Sequence, residues 1–409
     1  MKITVEQKTE LSAGRLSLTR KGPSLENARI AIVHYWFVNH RGGERVVEAL
    51  ADMFPNADLF SLIVDQESLS APLRARQIKT SFLQKFPGSR RWYRRLLPLY
   101  PLALEQFDLS SYDLVLSSES GPAKGVLTSA NTCHVCYCHS PMRYLWDFYH
   151  RYKNAAHLGF CTRPLFTFTA HYLRLWDAAS ADRVDYFVAN SHNVASRVRK
   201  HYRRECSVVY PPVNIKSGYV AETIDDYYLA VGQLVDYKRM DLAIRACNLL
   251  GRKLHVVGKG EEYARLRKLA GPSIRFCGPL SDLELREQYA HCRALLFPGE
   301  EDFGIVPVEA LSFGRPVIAY GRGGVRETVK ACDLGPAHVP ENSAGLFFSE
   351  QSVDSLVEGI RSFEKIEHRF RSSFIKHQSD RFSLAHFQRG FRRFLDQKWE
   401  EFHQQFVEP

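Results

Sequence analysis

No stretch of the chain approaches the roughly eighteen uninterrupted apolar residues of a membrane-crossing helix. The opening residues are polar and mixed in charge, so no secretory leader is expected. There is no Gly-Lys-Ser/Thr phosphate loop, which disfavours an ATPase of that kind. The early pair Gly42-Gly43 is not part of a G-x-G-x-x-G fingerprint, which weakens a dehydrogenase reading. No cluster of histidines and acids has the look of a metal site, and no Asp-x-Asp ends an expected strand. No metal is therefore expected to take part. Cysteine occurs nine times at irregular spacing, so no disulfide framework is visible and a reducing compartment is expected. Cys133, Cys136 and Cys138 fall along one expected strand, where alternation splits them between faces, and they read as buried thiols rather than ligands.

What is present is ordinary for a globular protein. The chain is 45% hydrophobic and 24% charged, and its 409 residues favour two domains. The formal charge of +10 suits anionic lipid, phosphorylated ligands or nucleic acid.

Residues 1–27 have weak periodicity and read as a loose arm. Apolar runs at 29–35, 112–117, 132–139, 186–190 and 207–210 then read as buried strands of a first domain, 28–210. Val46, Val47, Leu50, Ala51 and Phe54 recur at helical spacing behind the Gly42-Gly43 loop. Adjacent glycines let backbone amides approach an anion closely, so this loop is a phosphate-binding candidate. Pro211-Pro212 opens a linker over 211–226. A second domain, 227–375, shows expected strands at 227–231, 253–257, 273–277, 294–297, 316–319 and 345–348, with helical patterns between them. Such alternation implies parallel, doubly wound sheets, so the fold class is α/β with two Rossmann-like domains facing a cleft. In the last segment, 376–409, Phe387, Phe391, Phe394 and Leu395 form one helical stripe that is expected to pack back on the first domain.

The stretch 297–317 (FPGEEDFGIVPVEALSFGRPV) carries the strongest chemical signal. A strand end leads into a loop with Glu300, Glu301 and Asp302, then Phe303 and Gly304, then a helix start marked by Pro307. Glu309 is expected in that helix's first turn. Free amides at a helix start accept phosphates, and flanking carboxylates accept sugar hydroxyls. Lys238, just past the strand at 227–231 and near Gln233, suits a diphosphate where no metal is used. Gly258 and Lys259 follow the next strand, and Cys277 and Pro279 close the one after, in position to frame a base. The segment 321–327 (GRGGVRE) is either a second anion nest or a tight connection. At helical pitch, residues 89–97 place Arg90, Arg91, Arg94 and Arg95 on one face and Trp92, Tyr93, Leu96 and Leu97 on the other. A soluble amphipathic helix and RNA binding compete with a membrane reading, which we favour because an interfacial helix needs such a pair of faces.

These residues resemble the family 4 glycosyltransferases, retaining enzymes of the two-Rossmann GT-B fold. The resemblance runs from about residue 29 to about residue 348 through Gly42-Gly43, Asn190-Ser191, VGQLVDYKRMD, HVVGKGEE, Glu301 through Glu309, and GRPVIAYGRGGVRE. It implies that Glu301 contacts the donor hexose and Glu309 the nucleotide ribose. It implies also that the amides of Phe303, Gly304, Ile305 and Val306 hold sugar and diphosphate, with Gly43 approaching from the other domain. Lys238 would neutralise the leaving group, and His139 would lie beside the sugar. The family commonly has Arg where this chain has Gln233, so either Lys238 with helix dipoles suffices or Arg41, Lys259 or Arg322 compensates. The segment YCHSPMRYLWDFYHRY looks like the subgroup that uses GDP-mannose in O-antigen and exopolysaccharide synthesis, with Arg143, Tyr144 and Trp146 as acceptor candidates.

The implied function is retaining transfer of mannose from GDP-mannose to a polyprenyl-diphosphate saccharide. It would run at the cytoplasmic face of the plasma membrane, without cofactor, metal or nucleic-acid partner. A donor such as UDP-glucose, a nucleotide-sugar epimerase and an inactive scaffold of the same fold are the alternatives.

Overall fold

The computed structural model describes residues 24–38, 42–155, 162–333 and 342–405. They form two sheets of seven strands each, every neighbouring pair parallel. The first sheet has the order β3-β2-β1-β4-β5-β6-β7, with β1 at Ile30–His34, β2 at Asp58–Ser61, β3 at Ile78–Thr80, β4 at Leu114–Glu119, β5 at Cys133–Cys138, β6 at Tyr186–Ala189 and β7 at Cys206–Val208. The second runs β10-β9-β8-β11-β12-β14-β13, with β8 at Tyr228–Val231, β9 at Leu254–Val257, β10 at Ile274–Gly278, β11 at Leu295–Phe297, β12 at Val317–Tyr320, β13 at Cys332–Asp333 and β14 at Gly345–Phe348. This is the doubly wound α/β arrangement expected from the alternation of strands and helices. In both sheets the chain winds outward from the first strand, returns, and continues on its other side. That puts topological switch points between β1 and β4 and between β8 and β11, where such folds hold ligands.

Every residue of β1 and β5 is buried, because helices cover both faces of each sheet. Helix α1 (Gly42–Met53) buries Val46, Val47 and Leu50 on one face of the first sheet. Helix α2 (Thr162–Ser180) packs Trp176 against the cluster on the other face, and α3 (His192–Tyr202) follows β6. In the second domain α4 (Ile305–Ser312) follows β11. The final helix, α5 (Leu384–Gln404), lays Phe387, Phe391, Leu395 and Trp399 into the same apolar cluster as Ile32, Leu50 and Val135 of the first domain. Cys133 joins that cluster while Cys136 and Cys138 join the one on the opposite face.

Several local expectations are corrected. Residues 1–23 lie outside the described residues, but Leu25, assigned to the loose arm, is buried against the first core. Strands β2, β3 and β13 were not anticipated, being short or at sheet edges. The last boundary shifts, because the helix Ser372–Gln378 packs on α4 of the second domain and the return begins after it. Gly42 and Gly43 are not loop residues but the first turn of α1. Because α4 already starts at Ile305, Glu309 sits in its second turn. The amphipathic helix expected over 89–97 is instead one α-turn, Ser89–Trp92, followed by a 3-10 stretch, Tyr93–Leu99, with Pro98 inside it. The altered pitch moves Trp92 away from the apolar face. It is exposed under the guanidinium of Arg95, 4.2 Å from its ring centre, while Tyr93, Leu96 and Leu97 pack inward.

Candidate active site

The starts of α1 and α4, one from each domain, meet across the cleft. A Cβ added at Gly42 would lie 2.3 Å from Ile305 Cδ1, so a side chain there collides with the other domain. At the facing end, Gly304 caps α4 with φ of 89°, a left-handed conformation that glycine adopts readily. Each helix start leaves backbone amides without intrahelical partners and a partial positive charge, and here the two point into one gap. Such an arrangement accepts an anion of diphosphate kind.

Side chains around the gap come from the ends of β1, β5, β8 and β11. Lys238, in the turn after β8, forms an ion pair with Glu301, in the loop after β11, and both are mostly buried. Burial alone lowers the pKa of Lys238, but the Glu301 carboxylate outweighs it and the net shift is upward. The ammonium therefore stays charged. Glu309 is engaged separately: Arg45 Nη1 of α1 lies 3.2 Å from Oε1, and Tyr289 donates its hydroxyl to Oε2 at 2.9 Å. Burial pushes the Glu309 carboxyl above its usual range, against the pull of Arg45 and Tyr289.

His139, at the end of β5, holds its Nε2 2.9 Å from Ser118 Oγ. Burial, reinforced by His34, holds its pKa down to about 3, so the imidazole is neutral at pH 7. Gly43 lies over this group, since a Cβ there would come within 3.6 Å of His139 Nε2 and 3.5 Å of the His34 ring. His34 is fully buried, neither ring nitrogen has a hydrogen-bond partner among the described residues, and Nε2 is 3.9 Å from Glu44 Oε1.

Other expected site residues are scattered. The ring of Phe303 turns away and packs on Phe382 at 5.5 Å and Tyr210 at 5.9 Å, so only its backbone faces the gap. Val306 packs into the core of its own domain, beside Ala310 and Val317. Gln233 follows β8 near Lys238, while Gly258 and Lys259 end β9 and Cys277 and Pro279 end β10, towards the sheet edge. Lys259 is exposed, Arg322 is exposed over its own neighbour Tyr320, and Arg41 lies outside the described residues. The cation that does approach Lys238 and Glu301 is Arg143, whose charge acts on Lys238.

The three acceptor candidates are placed apart. Arg143 reaches the donor loop, with Nη2 2.5 Å from Asp302 Oδ1. Tyr144 and Trp146 do not follow it: the Tyr144 hydroxyl rests on Met142 Sδ at 3.1 Å, and the Trp146 indole donates to buried Asp177 at 2.7 Å. The turn at 321–327 is not a second anion nest either. Gly324 donates to the Glu301 carbonyl at 2.9 Å and so buttresses the donor loop, and Glu327 accepts from the amides of His192 at 2.7 Å and Asn193 at 2.8 Å at the start of α3.

Sequence reasoning missed Arg45, Tyr289 and Arg197, and gave Asp302 and Glu327 no role of their own. Asp302 binds Arg143 and Arg197, and Ser191 Oγ donates to its carbonyl at 2.7 Å, so it ties the two domains together. The signal available was its place between Glu301 and Phe303. For Arg45 it was a cation in the first turn of α1, where the helix dipole is unfavourable to it unless a carboxylate lies opposite.

The paired sheets and their cleft are those of a GT-B glycosyltransferase. The description "Glycosyltransferase Family 4" matches residues 40–217 and "Glycosyl transferases group 1" matches residues 215–380. Together these matches span both domains, and the chain belongs to glycosyltransferase family 4. Among curated relatives, the alpha-1,3/1,6-mannosyltransferase ALG2 of Mus musculus is 27% identical over 249 residues, which is 50% of this chain and 57% of the relative. The O-antigen chain mannosyltransferase RfbU of Salmonella typhimurium is 25% identical over 207 residues, 48% of this chain and 55% of the relative. The chain thus spans little more than half the length of these relatives. Among solved structures, HepE of Anabaena in complex with UDP has a TM-score of 0.64 at 15% identity, covering 90% of this chain and 100% of that one. Sucrose-phosphate synthase of Thermosynechococcus elongatus has a TM-score of 0.64 at 15% identity, covering 91% and 99%. These two likenesses show the fold.

Proposed function

We propose that the chain is a retaining mannosyltransferase that carries mannose from GDP-mannose to a saccharide on a polyprenyl diphosphate. The observation that carries this reading is the meeting of two helix starts at Gly42 and Ile305, with Lys238, Glu301 and Glu309 around the gap. Glycosyl transfer passes through an oxocarbenium-like state with a departing diphosphate, so stabilisation is needed where that negative charge develops. The amides of α1 and α4 and the Lys238 ammonium supply it, so no metal is required. Glu301 exchanges Lys238 for hydroxyls of the donor sugar, and Glu309 exchanges Arg45 for the ribose. Neutral His139 lies beside the sugar as a hydrogen-bonding wall. The acceptor hydroxyl attacks from the face the diphosphate leaves, and a departing phosphate oxygen takes its proton, so no protein base is assigned.

Mannose is supported by the names of the mouse and Salmonella relatives. A membrane-bound acceptor is supported by Arg91, Arg94 and Arg95, which are exposed and have no carboxylate partner among the described residues. We place the protein at the cytoplasmic membrane surface on that basis. Among the described residues no helix is long and apolar enough to cross a membrane.

Product analysis with radiolabelled donors and polyprenyl-diphosphate saccharides tests the reading. Labelled mannose should pass to the acceptor in the presence of EDTA, and GDP-mannose should raise the melting temperature more than UDP-glucose does. A larger shift with the UDP-sugar overturns the donor, and conversion of donor without any acceptor favours an epimerase.

A further inference from the structure

The outer face of α2 is mostly apolar, with His171 among its exposed residues, and nothing among the described residues covers it. Leu165, Phe168, Tyr172 and Leu175 are 64%, 72%, 43% and 60% exposed. Their spacing of three, four and three residues places them on one side of the helix, over about 15 Å at 1.5 Å per residue. The opposite side holds Ala170, Leu173, Asp177 and Ser180, all buried. Ordinary surface helices show the reverse pattern, with charge outward. The helix has one acid, Asp177, and it is fully buried between Lys124, Trp146 and Tyr202, so the outward face carries no negative charge.

The neighbouring surface continues the pattern. Leu97, from the basic 3-10 stretch, packs in the same cluster as Ala170 and Leu173, and Trp176 of α2 donates to Glu105 at 2.9 Å, at the end of the short helix Tyr100–Glu105. Leu102 of that short helix and Trp92 are also exposed, in the same stretch as Arg91, Arg94 and Arg95, which have no carboxylate partner among the described residues. One side of the first domain therefore combines a long apolar ridge with exposed aromatic residues and a cluster of cations. An apolar surface this size on a soluble monomer marks a partner. A protein partner of the apolar ridge would leave the arginine cluster unmatched. An anionic bilayer matches both, with apolar side chains entering the acyl boundary and arginines meeting the headgroups.

We infer that the outer face of α2, with the adjoining arginine stretch, is a membrane-docking surface that inserts Leu165, Phe168, Tyr172 and Leu175 into an anionic lipid monolayer. The inference rests on the reading of a lipid-linked acceptor but is measured without acceptor or donor. It also assigns insertion mainly to α2, with the arginine stretch supplying attraction rather than the anchor itself.

Full-length protein is mixed with vesicles of phosphatidylcholine alone or with phosphatidylglycerol added, and binding is read by co-sedimentation. Phe168→Trp and, as a control in the second domain, Leu249→Trp (Leu249 is 70% exposed) are read by fluorescence quenching with brominated lipid. The expected result is binding only to the anionic vesicles, with quenching beyond that of the wild-type tryptophans for Phe168→Trp and none beyond it for Leu249→Trp. The double variant Phe168→Ser, Leu175→Ser should bind vesicles at least tenfold more weakly, while its melting temperature and donor binding stay as in the wild type. Equal quenching at both positions, or undiminished binding of the double variant, overturns the proposal. So does a dimer without lipid that the double variant dissolves, which would give the face to a second copy. Transfer to a water-soluble acceptor is assayed in parallel. Its loss in the wild type would strike the transferase reading alone, and its retention with no vesicle binding would strike the docking surface alone.

Discussion

Arg45 and Glu309 belong to opposite domains, 264 residues apart in the chain, and their side chains meet at 3.2 Å. A carboxylate buried in the second domain is thus charge-matched by a guanidinium from the first. The position is the one the family resemblance gives to the nucleotide ribose. The contact ties the two domains together across the cleft.

Replacing Glu309 by Gln keeps the shape and removes the charge that accepts Arg45 and, in the proposed function, the ribose. Hydrogen bonds to a charged group contribute about 1.5–3 kcal/mol, so donor affinity should fall roughly 10- to 100-fold. Calorimetric titration with GDP-mannose measures it. An unchanged dissociation constant would remove Glu309 from the donor site.

A second cross-domain tie is the clamp of Arg143 and Arg197 on Asp302. Arg197 also pairs with Asp147, so the aromatic segment and the donor loop share one cation. Asp302→Asn leaves two arginines facing a neutral amide and costs the closed form about 1–3 kcal/mol. Small-angle scattering of the variant should show a larger radius of gyration, and the transfer rate should drop by about tenfold or more. Unchanged scattering with unchanged rate would mean that closure does not depend on Asp302.

The pH response of His139 follows from its surroundings. Its pKa falls from the unfolded value of 6.5 to about 3, so between those pH values the unfolded chain carries the proton and the folded chain does not. Stability from this residue is therefore full above pH 6.5 and is lost as pH falls through that window, by at most about 1.4 kcal/mol per pH unit. Nitrogen-15 NMR of the imidazole should show the neutral form down to pH 5. A midpoint near 6 would mean that His139 is open to water and free to carry charge beside the sugar.

How much of this was legible in the sequence depends on range. Strand β1 is fully buried, so its apolar run stood out, and the loop from Glu301 to Gly304 was readable because acids, glycine and a helix start are local features. β2 escaped because its polar start, Asp58, breaks a four-residue strand, and β13 because it is two residues long. Periodicity assumes α pitch, and the 3-10 stretch at Tyr93–Leu99 rotates side chains differently, which is why Trp92 was put on the wrong face. The partners of Glu309 and Asp302 were invisible for another reason. Nothing in local spacing tells one domain which side chain the other will bring.

The return of α5 to the first domain gives the last test. Phe391 is fully buried, stacked on Phe387 at 5.6 Å, with the tilted ring of Tyr137 of β5 at 6.2 Å. Removing a buried phenylalanine costs about 3–5 kcal/mol, the lost transfer energy plus the cavity left behind. Phe391→Ala should lower the urea midpoint of the first domain, and hydrogen exchange should speed up in α5 and β5 while β8 and β11 of the second domain keep their protection. The second domain keeps its own clusters, which contain no residue of α5. A loss below about 1 kcal/mol, or equal loosening of both domains, would show that the helix is not the separate tie its packing describes.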